Sequence, residues 1–184
     1  MRVYWVPNAI SILRGLASIP VVLLLAPDTA IFALSLFTLA ALTDAIDGPL
    51  ARRLRATSAL GAFLDPLADK VLVLGTLGGL LMRGEVDPLP VGLILLRETA
   101  ITGVRAFAAS RGVTVRSNVF GKAKAGLQGT AVGGQIVALA WPALALGRAS
   151  DALLWAAALV TVTTGVQVIQ RVAAALGTTS SAVR

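Results

Sequence analysis

Long apolar runs alternate with short polar segments along the chain, and this pattern predicts an all-α integral membrane protein. Each apolar run is close to the ~20 residues that a helix needs to cross a bilayer. Segments rich in proline, glycine or charged residues separate the runs. A short interfacial segment over 1–8, with Tyr4 and Trp5, precedes the first run, and a tail over 177–184 is predicted to be disordered. The six transmembrane helices are predicted at about 9–26, 29–50, 60–82, 91–110, 119–146 and 152–176.

Composition supports one membrane domain over the whole chain, 1–184. The sequence is 57% hydrophobic and only 14% charged, whereas a soluble domain has about a quarter of its residues charged. Cysteine and histidine are both absent. Disulfide and thiol chemistry are therefore excluded, and a metal site or a general base would have to use other side chains, chiefly carboxylates.

The net charge of +7 is unevenly distributed between the predicted loops. Six spans place both termini on one side of the membrane, and that side has most of the basic residues. The opposite loops hold only Arg83 and Arg148. The positive-inside rule then predicts a multi-pass protein of the cell inner membrane with both termini in the cytoplasm. Nucleic-acid binding is not expected, because it would need a basic, exposed domain. The basic residues on the cytoplasmic side are Arg2, Arg52, Arg53, Arg55, Arg111, Arg116, Lys122, Lys124, Arg171 and Arg184.

Four aspartates form two pairs at the ends of neighbouring predicted spans. Asp44 and Asp47 are spaced i,i+3 and Asp65 and Asp69 i,i+4, so each pair shares one helical face. A carboxylate inside a membrane costs about 2.5–3.5 kcal/mol on insertion scales, and four would repel one another unless they share cations or are partly protonated. Oxygen ligands suit hard divalent cations. A two-metal site with ions ~4 Å apart is therefore predicted.

The residues between the two pairs suit phosphate binding. Gly48, Ala51 and Gly61 are small and allow a bulky ligand to approach the backbone. Arg52 offers a fork of donors for phosphate oxygens, and Ser58 adds a hydroxyl. Together they indicate a metal–pyrophosphate site at a membrane surface, facing the cytoplasm. Pro49 would kink or end the helix at this point, because proline lacks an amide hydrogen.

The order and spacing of these residues closely resemble the signature of the CDP-alcohol phosphatidyltransferase family. Pro49 is a departure, since the family more often has an aromatic or aliphatic residue there. Other features, among them Pro7-Asn8, Arg97-Glu98 and Gly121-Lys122, resemble the phosphatidylglycerophosphate synthase branch, and the likeness runs from about residue 7 to residue 128. Every fixed position of the signature is matched, by Asp44, Asp47, Gly48, Ala51, Arg52, Gly61, Asp65 and Asp69.

The resemblance implies an activity and a set of roles. It implies transfer of the phosphatidyl group from CDP-diacylglycerol to glycerol 3-phosphate with release of CMP, by a homodimer in the bilayer. Asp44, Asp47 and Asp65 would ligate two Mg²⁺ or Mn²⁺ ions. Asp69 would complete the metal site and act as the general base. The candidates for CDP-diacylglycerol binding are Asn8, Asp44, Gly48, Ala51, Arg52, Ser58 and Gly61.

Charged residues inside the fourth and fifth spans are candidates for binding the acceptor's phosphate. Glu98, Thr102 and Arg105 share one helical face. An internal ion pair of Glu98 would explain the arginines, and lysine snorkelling would explain the lysines. Charges at this depth normally face a water-filled cavity, however. On charge and depth, we predict acceptor-phosphate binding by Arg97, Arg105, Lys122 and Lys124.

Several alternative functions remain open. A cardiolipin synthase of the same family would share the aspartates but tends to have Arg-Asp where this chain has Arg97-Glu98, and another acceptor alcohol is also compatible with the signature. A UbiA-type prenyltransferase also uses membrane carboxylate pairs, but this chain is too short and Gly48, Ala51 and Arg52 would be unexplained. A divalent-cation transporter would need a polar path to both faces, whereas these acids cluster near one.

Overall fold

The computed structural model describes residues 5–53, 59–113 and 119–181, and these residues form six α-helices. The all-α class and the six helices predicted from the sequence are confirmed. A short 3₁₀ turn over Pro142–Leu144 follows the fifth helix. The helices are α1 (Trp5–Leu23), α2 (Ala30–Arg53), α3 (Ala59–Met82), α4 (Pro88–Ser110), α5 (Val119–Ala140) and α6 (Gly147–Ser181).

Helix α4 begins at a cap that the hydropathy pattern did not indicate. The Asp87 carboxylate accepts a hydrogen bond from the Leu89 amide at 2.9 Å, and Pro88 occupies the first turn. An aspartate cap followed by proline starts a helix efficiently, because proline has no amide hydrogen to leave unpaired. The helix therefore begins before the predicted position 91.

The boundary between α5 and α6 also differs from the prediction. Helix α5 ends at Ala140 rather than near 146, because Pro142 cannot donate the backbone hydrogen bond that would continue the helix. Helix α6 then begins at Gly147, earlier than the predicted 152, and its backbone remains helical to Ser181. It thus enters the region that was predicted to be a disordered tail.

Prolines lie inside several helices without ending them. Pro49 was predicted to kink or end the helix, and since α2 continues past it to Arg53, this proline does not end the helix. Pro20 and Pro66 are likewise inside α1 and α3. Proline is more frequent in transmembrane helices than in soluble ones, since neighbouring helices and local adjustments satisfy the freed backbone groups.

Helix α1 packs against α2 and α3, and α6 packs against α4 and α5, while α2 contacts α5 and joins the two groups. Glycines bring α1 and α3 close together. A Cβ added at Gly75 would lie 3.3 Å from Cβ of Ser18, and one at Gly79 would lie 2.9 Å from both γ-carbons of Val22. Gly75 and Gly79 form the Gly-x-x-x-Gly spacing that permits close helix packing in membranes.

Apolar side chains occupy both the interior and the outer surface of the bundle. Leu72, Ile94 and Ile136 are fully buried between the helices. On the outside, Leu23 and Leu96 are each 71% exposed. Large apolar patches on a water-facing surface promote association or aggregation. This surface is therefore suited to contact with lipid chains.

One helical stretch of the described residues, Gly147–Leu176, is long and apolar enough to cross a membrane by length and composition. Asn8–Leu23 and Ala30–Thr43 are shorter apolar helices. Helix α4 contains Arg97, Glu98 and Arg105, whose charges make it less apolar than its length alone would suggest. The structure thus confirms the helices, and the number of membrane spans stays a prediction.

Candidate active site

A cavity of about 410 Å³ opens between four helices at one end of the bundle. Its walls come from the middle parts of α3 and α4, the first half of α5 and the second half of α6. Asp44 and Asp47 lie in the second half of α2, a helix that contacts α3 and α5 of the cavity wall. The polar side chains lining the cavity are Asp69, Lys70, Arg97, Glu98, Arg105, Lys124, Gln128, Thr164, Gln167 and Arg171.

The helical period explains why these side chains converge. On α4, Glu98, Ile101 and Arg105 recur at the i,i+3,i+7 positions of one face, and Arg97 lies beside them. On α6, Thr164, Val168 and Arg171 are spaced i,i+4,i+7, which also places them on one face. One face of the long, apolar helix α6 therefore forms its part of the cavity wall.

A buried glutamate connects three of the four helices. Glu98 is 4% exposed, and its Oε1 atom accepts a hydrogen bond from Arg97 Nη1 at 2.7 Å. The same oxygen accepts a short hydrogen bond from Lys124 Nζ on α5. Lys70 Nζ on α3 lies 3.7 Å from Oε2 and donates to Thr102 Oγ1 at 2.6 Å. One carboxylate thus fixes three cations, and the predicted ion pair of Glu98 exists within the cavity wall.

Arg97 also reaches the fourth helix. Its Nη2 atom donates to Thr164 Oγ1 of α6 at 3.1 Å, and its stem passes over Gly165. Deeper in the bundle, Gln128 Nε2 donates to Thr161 Oγ1 at 2.8 Å and joins α5 to α6. The Thr164 hydroxyl that accepts from Arg97 itself donates to the Val160 carbonyl at 2.7 Å, as expected for a buried polar atom.

Arg105 and Arg171 line the cavity without an ion pair to any described residue. Among the described residues of the lining, five basic residues face two acids, Asp69 and Glu98, which gives this part of the lining a formal charge of +3. Arginine presents a planar fork of donors that matches phosphate oxygens. This arrangement can bind a small anion that carries a phosphate group.

The structure brings together three of the four residues predicted to bind the acceptor's phosphate, namely Arg97, Arg105 and Lys124. The side chain of Lys122 lies outside the described part of the chain. Sequence reasoning missed Lys70 and Arg171 as cavity residues. For Arg171 the signal was its spacing of two helical turns from Thr164, and for Lys70 it was the position directly after Asp69.

Of the four signature aspartates, Asp69 is the one whose side chain is described, and it lines the cavity beside Lys70. Asp44 and Asp47 are on α2 and Asp65 is on α3. Ser58 is outside the described residues altogether. Of the other predicted site residues, the structure describes only the backbone of Asp44, Asp47, Gly48, Ala51, Arg52, Gly61 and Asp65.

Helix α1 contacts α2 immediately before the first aspartate. Asn8 is partly buried near the start of α1, and Arg14 is only 2% exposed. The Arg14 Nε atom lies 3.4 Å from Thr43 Oγ1, one residue before Asp44. A buried guanidinium group requires a counter-charge or hydrogen-bonding partners. Arg14 therefore fixes the position of α1 relative to the start of the signature.

The available donors suit a hard divalent cation. The four aspartates would contribute only carboxylate oxygens, which Mg²⁺ and Mn²⁺ prefer. The side chains that the structure describes, which include Asp69 but not Asp44, Asp47 or Asp65, assemble no group of three acidic, histidine or cysteine residues.

Comparison with known proteins points to one family. A family model described as CDP-alcohol phosphatidyltransferase matches residues 4–164. The chain is 36% identical to the CDP-diacylglycerol–glycerol-3-phosphate 3-phosphatidyltransferase of Rickettsia bellii, over 86% of this chain and 90% of that protein. Proteins of the same name from Bacillus subtilis and Cereibacter sphaeroides are 38% and 37% identical, over 71% and 69% of this chain and 67% and 61% of their own lengths. The signature, the cation-lined cavity and these matches agree: the chain belongs to the CDP-alcohol phosphatidyltransferase family.

Proposed function

We propose that the chain is a CDP-diacylglycerol–glycerol-3-phosphate 3-phosphatidyltransferase. The observation that carries the proposal is the cavity in which Asp69 of the family signature lies together with Arg97, Arg105, Lys124 and Arg171. A carboxylate next to a cluster of cations suits an acceptor that has both a reacting hydroxyl and a phosphate. The names of the relatives agree with this acceptor.

The proposed reaction transfers a phosphatidyl group. The acceptor's hydroxyl oxygen forms a bond to the diacylglycerol-side phosphorus of CDP-diacylglycerol, and the bond from that phosphorus to the oxygen of CMP breaks. Asp69 takes the hydroxyl proton, since the chain has no histidine to do so. CMP leaves as the second product, and no other co-reactant is needed.

The donor side of the site would be built from the signature. Asp44, Asp47 and Asp65, completed by Asp69, would hold two Mg²⁺ or Mn²⁺ ions, which neutralise the pyrophosphate charge when bound. The small residues allow the nucleotide to approach the backbone, and Arg52 offers donors to a phosphate. The residues assigned to the nucleotide and pyrophosphate are Asn8, Asp44, Gly48, Ala51, Arg52, Ser58 and Gly61.

The acceptor's phosphate would bind on the side of the cavity formed by α4, α5 and α6. Arg97 and Lys124 are already oriented by Glu98, while Arg105 and Arg171 keep their donors for the anion. Lys122 remains assigned to the same role, and Lys70 adds a cation on the α3 side. A charge-assisted hydrogen bond of this type contributes about 1.5–3 kcal/mol.

In the membrane, the proposed arrangement is six spans with the site at the cytoplasmic ends of the helices and both termini in the cytoplasm. The apolar outer surface and the uneven charge of the loops support it. The whole chain, 1–184, forms one domain in this proposal and acts as a homodimer in the inner membrane.

Purified protein with CDP-diacylglycerol and a panel of acceptors tests the function. The acceptors are glycerol 3-phosphate, phosphatidylglycerol, inositol phosphate and serine, with Mg²⁺ or Mn²⁺ present and lipid products resolved by mass. The expected product is phosphatidylglycerophosphate, formed only with glycerol 3-phosphate. Cardiolipin from phosphatidylglycerol, without reaction of glycerol 3-phosphate, would instead identify a cardiolipin synthase.

A further inference from the structure

We propose that Gly165 is a positioning residue for the acceptor site, a role that rests on the proposed function. It lies on α6, outside the aspartate signature and beyond the region that resembles the phosphatidylglycerophosphate synthase branch. Its missing side chain provides the space in which Arg97 of α4 crosses α6. Through Arg97 it sets the direction of two donors at the edge of the cavity.

The space at Gly165 is filled by Arg97. A Cβ atom added at Gly165 would lie 2.9 Å from Arg97 Nε, 3.0 Å from Cγ and 3.5 Å from Cδ. A Cβ atom in a folded protein does not approach another heavy atom this closely unless one of the two is displaced. The contact runs along the side chain from Cγ to Nε, and the guanidinium group beyond it is hydrogen-bonded to Glu98 and Thr164, so the stem can move aside only by disturbing those bonds. An alanine at this position would therefore push the arginine away from α6.

Both ends of the guanidinium group are fixed while Arg97 lies over Gly165. Nη1 donates to Glu98 at 2.7 Å and Nη2 donates to Thr164, the residue next to Gly165, at 3.1 Å. The Nε–H group is buried and has no hydrogen-bond partner among the described residues. Leaving a buried donor unpaired is unfavourable. The arginine is thus held by its two ends against α6, and the glycine is what permits this conformation.

Most other helix glycines do not serve such a purpose. A Cβ added at Gly133 on α5 or at Gly78 on α3 would meet no atom within 4 Å. Glycine inside a helix normally weakens it relative to alanine. At Gly165 the glycine weakens the helix in the same way, but it also allows direct contact with Arg97, a charged residue of the proposed acceptor site.

The test compares Gly165→Ala with the matched control Gly133→Ala in purified enzyme. We expect Gly165→Ala to raise the KM for glycerol 3-phosphate about tenfold, the lower end of the effect of losing one charge-assisted hydrogen bond. The KM for CDP-diacylglycerol should stay within about twofold of the wild-type value, because only the acceptor side is disturbed. The control should change neither constant. Equal effects of the two variants would overturn the proposal.

A double-mutant cycle shows whether the effect passes through Arg97. In an Arg97→Lys background, where the guanidinium fork is absent, Gly165→Ala should add less than about twofold to the KM. Full additivity would mean that Gly165 acts independently of Arg97, and the proposal would fail. If Gly165→Ala does not fold, Thr164→Val removes the Nη2 contact without adding bulk and must raise the same KM for the proposal to stand.

The two proposals can fail separately. Wild-type protein that does not transfer to glycerol 3-phosphate would overturn the proposed function. Wild-type protein that does transfer, with a Gly165→Ala variant that resembles Gly133→Ala, would overturn only the role of Gly165. Thermal protection by glycerol 3-phosphate gives a readout besides turnover, and we expect Gly165→Ala to reduce that protection while the control retains it.

Discussion

At the scale of single residues, the chemistry of the cavity depends on one buried carboxylate. Glu98 holds Arg97 and Lys124 by hydrogen bonds and has Lys70 within 3.7 Å, so it compensates cations from three helices. The cost of burying these charges is offset only while all of them are present. An anion that binds in the cavity therefore enters a site where part of the positive charge is already compensated and part is not.

Replacing Glu98 by glutamine should destabilise the protein and make it more responsive to phosphate. Removing one partner of a buried ion pair costs about 3–5 kcal/mol, and the three cations would then repel one another. Inorganic phosphate can replace part of the lost charge, so its stabilising effect should be larger in Glu98→Gln than in the wild type.

Thermal unfolding in detergent, with and without phosphate, measures both effects. Glu85→Gln is the control, because Glu85 is exposed in the turn before α4 and contributes nothing to the cavity. A Glu98→Gln variant as stable as this control would contradict the role of Glu98 as the shared partner of the cations.

Arg105→Ala should weaken acceptor binding more than donor binding. Arg105 lines the cavity without an ion pair to a described residue, so its donors are available to a phosphate. Loss of a charge-assisted contact of about 1.5–3 kcal/mol predicts a rise of roughly tenfold or more in the KM for glycerol 3-phosphate.

Steady-state kinetics with each substrate varied in turn checks this prediction. Arg111→Ala is a suitable control. Arg111 lies at the end of the same helix, but its Cζ atom is 5.0 Å from the centre of the Phe107 ring and it does not line the cavity. Equal changes of the KM for both substrates in Arg105→Ala would remove Arg105 from the acceptor site.

Two aspartates of the signature should fail in different ways. Asp47→Asn should weaken metal binding and turnover together, so excess Mn²⁺ should restore part of the rate. Asp69→Asn keeps the shape of a ligand but cannot take a proton. It should still bind metal and CDP-diacylglycerol while turnover falls by about 10²–10⁴, the usual contribution of a general base.

Calorimetry of CDP-diacylglycerol binding in Mg²⁺, run beside turnover, separates the two roles. If Asp69→Asn loses binding as completely as Asp47→Asn, Asp69 is chiefly a metal ligand. If it keeps near-normal turnover, the proton goes elsewhere, to water or to the acceptor's own phosphate.

The sequence predicts part of this site and misses part for a physical reason. Arg97, Arg105 and Lys124 could be predicted because charges in apolar helices need a cavity or a partner. Arg171 was interpreted only as a sign of membrane orientation, because nothing in the sequence states which face of α6 meets α4. Gly165 was likewise invisible, since its role depends on a contact between helices that are far apart along the chain.

At the scale of helices, the apolar pattern predicts how many there are, and local turn chemistry decides where they end. Asp87-Pro88 starts α4 earlier than hydropathy indicates, and Pro142 ends α5 earlier. Both signals are readable from the sequence. At the end of α5 the residues on both sides are apolar, and a hydropathy pattern does not distinguish an apolar turn from an apolar helix.

The close approach of α1 and α3 predicts a strong difference between two adjacent glycines. A Cβ at Gly79 would lie 2.9 Å from both γ-carbons of Val22 and 3.0 Å from Cδ1 of Leu25, whereas one at Gly78 would meet nothing within 4 Å. We expect Gly79→Ala to destabilise the protein by about 1–3 kcal/mol, the usual cost of overpacking.

Gly78→Ala is the matched control, and it should be neutral or slightly stabilising, because alanine favours the helix. The midpoints of unfolding in detergent compare the two variants. Adding Val22→Ala to Gly79→Ala should recover part of the loss. Identical midpoints for the two single variants would contradict the close packing of α1 on α3.

At the scale of the whole molecule, the proposed topology places alternate turns on opposite sides of the membrane. The chain has no cysteine of its own, so single cysteines report position without interference. Asp28→Cys and Glu85→Cys should react with a membrane-impermeant thiol reagent in intact cells. Arg111→Cys, which is also at an exposed position, should react only after permeabilisation. The reverse pattern would overturn the proposed orientation.

The length of α6 has a consequence for how the two substrates meet. Its 35 residues extend roughly 52 Å at 1.5 Å per residue, well beyond the ~30 Å of the hydrocarbon layer. Thr164 and Arg171 lie roughly 26 and 36 Å from its first residue. If α6 enters the hydrocarbon near Gly147, the cavity lies at the opposite boundary, between lipid chains and water.

At such a boundary, one substrate arrives by two-dimensional diffusion within the leaflet and the other by three-dimensional diffusion from the aqueous phase. Their concentrations are then counted on different scales, as a mole fraction of the lipid for the donor and as a bulk molarity for the acceptor. Adding inert lipid to the same bilayer dilutes only the donor. The composition of the membrane thereby becomes a direct variable in the rate of lipid synthesis.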